Sequence, residues 1–436
     1  MGKRDRLQAL STGWARRTLS AGRMAASLGK AAVKGAIATV TDDDALALGE
    51  MLTERMDEMK GLTMKIGQMV SYLDGAVPEG TARVLRKLQR GGRPLETDVV
   101  ISIVERAFGL PISEIFESFE PEPLAAASIG QVHGARLSGT DVAVKVQYPE
   151  IAKTIEVDLS NASRIGLLAA LGTSVSSSDV LGELRERFRE ECDYEREAAN
   201  TELFRALFAD DPRVAIPRTF AERTRANVLT TARMSGQSLY DFAATATQAQ
   251  RDRAGEIVFA FAFRSIFQHG AFNGDPHPGN YLFNADGPVV FLDFGCVRFF
   301  DARFLEAWKA LARCVLDGRR RDFADVVLPT GIVGSDRFDF DAHWELMQYL
   351  YRPFLTPGFR YDQAYVVESL DLLKWKNPNL RYTAMPAQWL FANRLQWGMN
   401  SILAILGATG DWGGILRRAV ESPIALAPKP GSERRD

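Results

Sequence analysis

The stretch GAFNGDPHPGNYLF, residues 270–283, places an aspartate, two prolines, a histidine, a glycine and an asparagine within six positions and then runs straight into an apolar segment. Pro276 and Pro278 remove backbone donors and restrict their neighbours, so DPHPGN is a rigid loop and not a helix. Tyr281-Leu282-Phe283, a turn over 284–288 and Val289-Val290-Phe291-Leu292 predict two short strands joined by a hairpin, which delivers Asp293-Phe294-Gly295. Two carboxylates, Asp275 and Asp293, and the amide of Asn280 converge from the ends of one hairpin on stiff backbone. Such a set suits a divalent metal with phosphate better than a hydrophobic core. The question is then whether the chain supplies the rest of a phosphate site.

Composition bounds the answer. At 436 residues, 46% apolar and 25% charged, the chain has material for two or three domains with substantial cores. A net charge of -2 gives no global case for nucleic acid. Cys192, Cys296 and Cys314 show no metal spacing and read as reduced thiols of an intracellular, cytoplasmic protein. The longest uncharged windows fall short of the roughly 20 apolar positions a bilayer span needs, so no transmembrane helix is expected. Charge is uneven only at the N-terminus, where Lys3, Arg4, Arg6, Arg16, Arg17, Arg23, Lys30 and Lys34 face a single Asp5 before Asp42. Residues 1–43 therefore read as a basic surface helix meeting anionic lipid at a peripheral membrane contact, as an organelle transit peptide, or as a solvated tail.

From residue 44 to about 90, Leu52, Met56, Met59, Ile66, Val70 and Leu73 draw one apolar stripe along a helix, and KIGQ places Lys65 and Gln68 on a common face off that stripe. Further on, Ala125-Ala126-Ala127-Ser128-Ile129-Gly130-Gln131-Val132-His133 leads through a turn near 138–141 to Val142-Ala143-Val144-Lys145-Val146. Lys145 sits inside a strand, flanked by valines, and needs a partner. Written A-x-A-x-x-G-x-V, the first segment has the spacing of the protein-kinase phosphate loop, with Ala125 and Ala127 at the first two glycines and Gly130 and Val132 unchanged. The following order agrees: the strand lysine, an acidic helix around 183–204, Asp275 and Asn280 five apart, then DFG at 293. Phosphoryl chemistry needs charge neutralised at the β and γ oxygens, which a lysine and Mg2+ supply, and Asn280 and Asp293 offer hard oxygen ligands for the metal.

Taken together, KIGQ, PLAAASIGQVH, VAVKVQYP, ECDYEREAAN, GDPHPGN and LDFG closely resemble the UbiB (AarF-related) atypical kinase-like family, associated with ubiquinone biosynthesis and lipid homeostasis, over about residues 50–300. The resemblance implies ATP or ADP with Mg2+ as ligands. Lys145 would hold the nucleotide phosphates with Glu197 as its helix partner, and Asp275 takes the place of the catalytic-loop aspartate. Asn280 and Asp293 match the magnesium ligands. Ala125, Ala126, Ala127, Ser128, Gly130 and Val132 form the nucleotide loop. Lys65 and Gln68 match the family's signature pair reaching into the site, and Glu191 and Asp193 an acidic pair that would engage them. The chain departs from the family at Asn273, where a histidine is usual, and at Ala232 in the linker 230–236, where an acidic residue is common. It ends PKPGSERRD where bacterial members of the ubiquinone pathway often carry a hydrophobic anchor, which argues against direct transfer of that pathway.

The expected architecture is a two-lobed, protein-kinase-like α/β (α+β) fold with an N-terminal helical extension. Its parts are the basic segment 1–43, an extension over 44–118 carrying KIGQ, an N-lobe over 119–235 with an insertion between Lys145 and Glu197, a helical C-lobe over 236–420, and a fraying tail over 421–436. Two function classes stay open. One is an ATP- and Mg2+-dependent ATPase or small-molecule kinase acting near lipid or an isoprenoid-quinone intermediate, with choline- or aminoglycoside-type phosphotransferases as a variant. The other is a nucleotide-binding pseudokinase-type regulator.

Overall fold

The computed structural model describes residues 95–127, 129–149, 189–374, 376–384 and 386–430. KIGQ, the basic N-terminus, Ser128 and the stretch between 150 and 188 lie outside them.

The described chain opens with α1 (Thr97–Phe108) and the single turn α2 (Ile112–Ile115). Next come β1 (Ser118–Ala127), β2 (Gly130–Leu137) and β3 (Thr140–Gln147), which with β5 (Val228–Ala232) make an antiparallel sheet of order β1-β2-β3-β5. Strand β1 contains Glu120-Pro121-Glu122-Pro123, and its register against β2 shifts twice there. Proline cannot donate to a ladder, so this strand is confined to the sheet edge. Val100, Ile103 and Val104 lie at helical spacing and bury the inner face of α1 against Val142, Val144 and Val146, the alternate positions of β3. This small core fixes the strand that carries Lys145.

Helix α3 (Tyr194–Leu207) follows a break at Cys192-Asp193 that separates it from a helical stretch at 189–191; the earlier part of the expected acidic helix lies outside the described residues. Its start is set chemically: Asp193 accepts hydrogen bonds from the backbone N–H groups of Glu195 and Arg196, so this carboxylate is an N-cap. The linker out of β5 reaches Gly236, whose φ of 154° and close approach to Leu282 exclude a side chain. Gln237 and Phe283 then exchange two backbone hydrogen bonds of 2.9 Å, tying the linker to the next lobe.

That lobe is built on α4 (Leu239–Thr245) and α5 (Gln248–His269). Helix α5 starts at a Thr247/Gln250 capping box and is buried around much of its circumference, as Ile257, Val258, Phe259, Phe261, Phe263, Ile266 and Phe267 require. Strand β6 (Ala271–Asn273) pairs with β9 (Val297–Phe299). Strand β7 (Tyr281–Leu282) pairs with β8 (Val289–Phe291), the hairpin expected from the sequence, and β8 also takes β4 (Val214–Ala215) in parallel. The remainder is helical: α6 (Ala302–Leu316), α7 (Phe323–Val327), α8 (Phe340–Leu350), α9 (Arg352–Leu355), α10 (Gln363–Lys374), α11 (Ala387–Leu406) and α12 (Trp412–Glu421). The fraying expected after 421 does not hold throughout. The Ala425 and Ala427 N–H groups donate to the carbonyls of Gln268 and His269 at 2.7 and 2.8 Å, and Ile424 and Ala427 pack on the core, so the end of α5 pins this segment.

His343 on α8 is buried among Phe323 and Phe338, with neither ring nitrogen hydrogen-bonded among the described residues. Burial holds its pKa down at about 4, against 6.5 for an ordinary histidine. With a depressed folded pKa, the unfolded chain binds the extra proton between these values, so stability is lost as pH falls through that window. His343→Leu should remove about 2 to 3 kcal/mol of the difference in unfolding free energy between pH 7 and pH 4.5. Denaturant titrations of both proteins at both pH values check this; an unchanged difference rules out His343 as the source.

Candidate active site

The edges of the two lobes converge on Lys145. Its position in β3, opposite Val132 of β2 and Leu229 of β5, aims the side chain beneath the sheet. The ammonium donates to both carboxylate oxygens of Glu197, at 2.7 and 2.9 Å, and to Asp293 Oδ2 at 3.1 Å. All three of its donors are therefore used. The Lys145 side chain is 16% exposed, Glu197 4% and Asp293 30%, so the aspartate is the most open of the three to solvent. Burial works against the ammonium, but the carboxylates of Asp293 and Glu197 outweigh it and hold the lysine well above its usual pKa. Burial, with the Asp293 charge adding and Lys145 opposing, pushes the Glu197 carboxyl up to about 7. Two carboxylates share one ammonium here, and a cation added near Asp293 would relieve both.

Asp293 is presented by the turn after β8. Its Oδ1 accepts the Gly295 N–H at 2.9 Å. The neighbouring Phe294 is fully buried, and its carbonyl accepts from Asn200 Nδ2 at 3.0 Å, one turn beyond Glu197 on α3. Asn273, the departure from the family's histidine, supports the loop in its own way. Its Nδ2 donates to the Asp293 carbonyl while its Oδ1 accepts the Asp275 N–H at 3.1 Å. A single side chain thus latches the aspartate of the loop to that of DFG.

The loop itself is ordered by its own side chains. Asn280 Nδ2 donates to the Asp275 carbonyl at 2.9 Å and to Asp275 Oδ2 at 3.3 Å, which turns the amide oxygen of Asn280 away from the loop. The backbone of Asn280 accepts from Leu292 N at 3.0 Å, holding the loop against the strand that leads to Asp293. No group of three or more acidic, histidine or cysteine side chains is gathered as a metal cage among the described residues. Magnesium needs no such cage: it uses one or two protein oxygens completed by phosphate and water, and Asp293 with Asn280 fits that donor set.

Ala125 and Ala126 lie exposed at the end of β1 and Ala127 is half-buried; Ala127 pairs with Gly130 at the end of the β1–β2 ladder. None of the three has positive φ. The adjacent Gln131 and His133 do not face a ligand. Gln131 Oε1 accepts the Leu95 N–H at 2.8 Å and its amide donates to His133 Nε2 at 2.8 Å, while His133 Nδ1 donates to the Glu120 carbonyl at 2.9 Å. These two polar residues clamp the chain entering α1 onto the sheet. Asp193 caps α3 through Oδ1; Lys65 and Gln68, the groups it was expected to meet with Glu191, lie outside the described residues. Sequence reasoning also missed Glu190, which binds Arg298 of β9 and, at 2.7 Å, Arg196, tying the segment after DFG to the start of α3.

A family model described as the ABC1 atypical kinase-like domain matches residues 87–327. The chain belongs to this UbiB (AarF-related) family of atypical kinases. Among relatives of the ABC1 domain, the Saccharomyces cerevisiae mitochondrial atypical kinase COQ8 is 30% identical over 313 residues, covering 70% of this chain and 62% of that protein. The Rattus norvegicus mitochondrial atypical kinase COQ8B is 31% identical over 325 residues, covering 72% and 60%, and the Marinobacter nauticus probable protein kinase UbiB is 32% identical over 295, covering 64% and 53%. The chain thus spans less than two thirds of these relatives' own length. The solved complex of Mycobacterium tuberculosis Rv3197 with erythromycin superposes with a TM-score of 0.67 at 27% identity, covering 88% of this chain and all of that one. The kinase-like fold is shared. Among the described residues, no helix is long and apolar enough to cross a membrane.

Proposed function

We propose that this ABC1-family chain binds ATP with Mg2+ and turns it over, as an ATPase or a kinase of a small, lipid-like acceptor such as an isoprenoid-quinone intermediate. The observation that carries the reading is the buried Lys145–Glu197 pair set 3.1 Å from Asp293, with Asp275 and Asn280 latched to the same aspartate through Asn273. A buried lysine with two carboxylates is an expensive arrangement for stability alone. It is an effective one for holding phosphate oxygens. When bound, the magnesium ion would neutralise phosphate charge, held by Asp293 and the amide oxygen of Asn280.

The chain's own groups do the rest. Glu197 keeps the Lys145 ammonium fixed below the sheet, so a phosphate oxygen can take the donor that Asp293 now accepts. Asp275 lies on the stiffened loop, where its carboxylate can orient an acceptor hydroxyl or water and take its proton. Adenine would rest against Val132 and the linker backbone, and Ala125, Ala126, Ala127, Ser128 and Gly130 would cover the phosphates. Alanine at the tip lacks the φ freedom of glycine, which favours a restricted phosphate pose over that of an ordinary protein kinase. Lys65 and Gln68 complete the proposed cofactor-binding set.

The test is a thermal-shift and hydrolysis series on purified protein with ATP, with and without Mg2+ and anionic liposomes. Magnesium-dependent stabilisation, with slow hydrolysis that the liposomes raise, is the expected result. Stabilisation without hydrolysis would favour the nucleotide-gated regulator, and absence of any magnesium-dependent shift would remove the reading.

A further inference from the structure

One polar group in this region is used by none of the roles above. Tyr194 opens helix α3, three residues before Glu197, and is wholly buried. Its backbone N–H donates to the Ala226 carbonyl at 3.0 Å, which fixes the start of the helix that carries the ring. The face of the ring lies 5.0 Å from the Lys145 ammonium, close enough for a cation–π contact. The phenol oxygen reaches the beginning of β2. A Cβ placed on Gly130 would stand 3.1 Å from that oxygen and would also strike the Val146 carbonyl. Gly130 pairs with Ala127 at the end of the β1–β2 ladder, so the ring face meets Lys145 and the hydroxyl meets the glycine beside the alanine run.

This hydroxyl has no hydrogen-bond partner among the described residues. A buried O–H without a partner is costly, and phenylalanine would fill the same space without that cost. Burial keeps the phenol protonated, far from the phenolate form. It is therefore a neutral donor set among Lys145, Glu197 and Asp293, in a place where an anionic ligand meets repulsion from two carboxylates and attraction from one ammonium.

We infer that Tyr194 is a ligand-binding residue whose phenol donates a hydrogen bond to a phosphate oxygen of the bound nucleotide, beside Lys145 and under the Gly130 turn. The inference rests on the nucleotide reading of the site and adds to it a donor on α3. It makes two commitments: the hydroxyl acts on the phosphates, and it does not act on the nucleoside.

Tyr194→Phe removes one oxygen and keeps the ring over Lys145, so the apo protein should melt at the wild-type temperature or above it. Titrations of both proteins with ATP, ADP and adenosine, each with Mg2+, separate the possibilities. The expected result is a loss of about tenfold or more in ATP and ADP affinity, the scale of a hydrogen bond to a charged group, with the adenosine response unchanged. Unchanged ATP affinity in the variant would overturn the inference while leaving nucleotide binding in place. An equal loss for adenosine would also overturn it, because the hydroxyl would then act through the fold. If wild-type protein responds to none of the three, the nucleotide reading itself falls, and this inference with it.

Discussion

Asp293→Asn should abolish the magnesium-dependent part of nucleotide stabilisation while leaving the protein folded. The wild-type carboxylate has one oxygen on the Gly295 N–H at 2.9 Å and the other on Lys145 at 3.1 Å, and it is the most solvent-exposed member of the triad. Both neighbours are donors. An asparagine can satisfy one of them with its oxygen but must aim its NH2 group at the other, so the substitution removes the charge and turns one oxygen ligand into a donor. A metal that relies on one or two protein oxygens loses half its protein support. At ligand concentrations a hundredfold above Kd, bound nucleotide contributes about 2.7 kcal/mol of stability, and most of this should vanish from the variant in the presence of Mg2+. Thermal melts with ATP, at zero and saturating Mg2+, read the effect directly. A variant stabilised by magnesium and ATP as much as the wild type would show that Asp293 is not the ligand.

The elements that could be read from the sequence were those whose meaning is local. DPHPGN is a stiff loop because of what Pro276 and Pro278 do to their own backbone, and the hairpin leading to Asp293 announces itself by apolar runs around a turn. The strand lysine was legible for a related reason: a charge flanked by valines in a strand demands a partner, and Glu197 lies on the one acidic helix in the right order. That order is also why the two-lobed fold could be anticipated over a chain whose composition says nothing specific.

What stayed hidden depends on partners far apart in the chain. Gln131 and His133 belong to the same motif as the nucleotide loop, yet their side chains hold Leu95 and the edge strand. Nothing in the spacing of IGQVH separates a residue that faces a ligand from one that faces its own chain. Asn273 was visible only as a departure from a family habit, and its latch between Asp275 and Asp293 depends on the β6–β9 pairing, two strands of three residues that carry no periodicity to detect. Asp193 reads from the sequence as half of an acidic pair, and its capping role comes from its place at the head of a helix, which residue type alone does not reveal. The charged and proline-rich end read as loose because such composition cannot build a core. A segment needs only two backbone hydrogen bonds and a few apolar contacts to be pinned, and these come from α5.

Glu197→Ala should be the most destabilising single change at the site, by about 3 kcal/mol, because it strands the Lys145 ammonium in a buried position with only Asp293 at hand. Lys145→Met should also destabilise, since it leaves the buried Glu197 carboxylate near Asp293 without the cation that now lies between them. The double variant Lys145→Met with Glu197→Leu should recover most of the loss, because exchanging a buried ion pair for apolar groups of similar volume is often neutral or favourable. Neither the single variants nor the double should turn over ATP. Urea titrations of the wild type, Lys145→Met, Glu197→Leu and their double variant make a double-mutant cycle, and the expected coupling is a few kcal/mol, well beyond the error of such cycles. If the two losses simply add, then lysine and glutamate are not partners in solution and the anchor of the proposed phosphate site is misassigned. If the double variant recovers its stability but not its activity, the pair is kept for where it holds the ammonium and not for what it adds to the fold. That is the division of labour expected when a charged triad is built to meet phosphate.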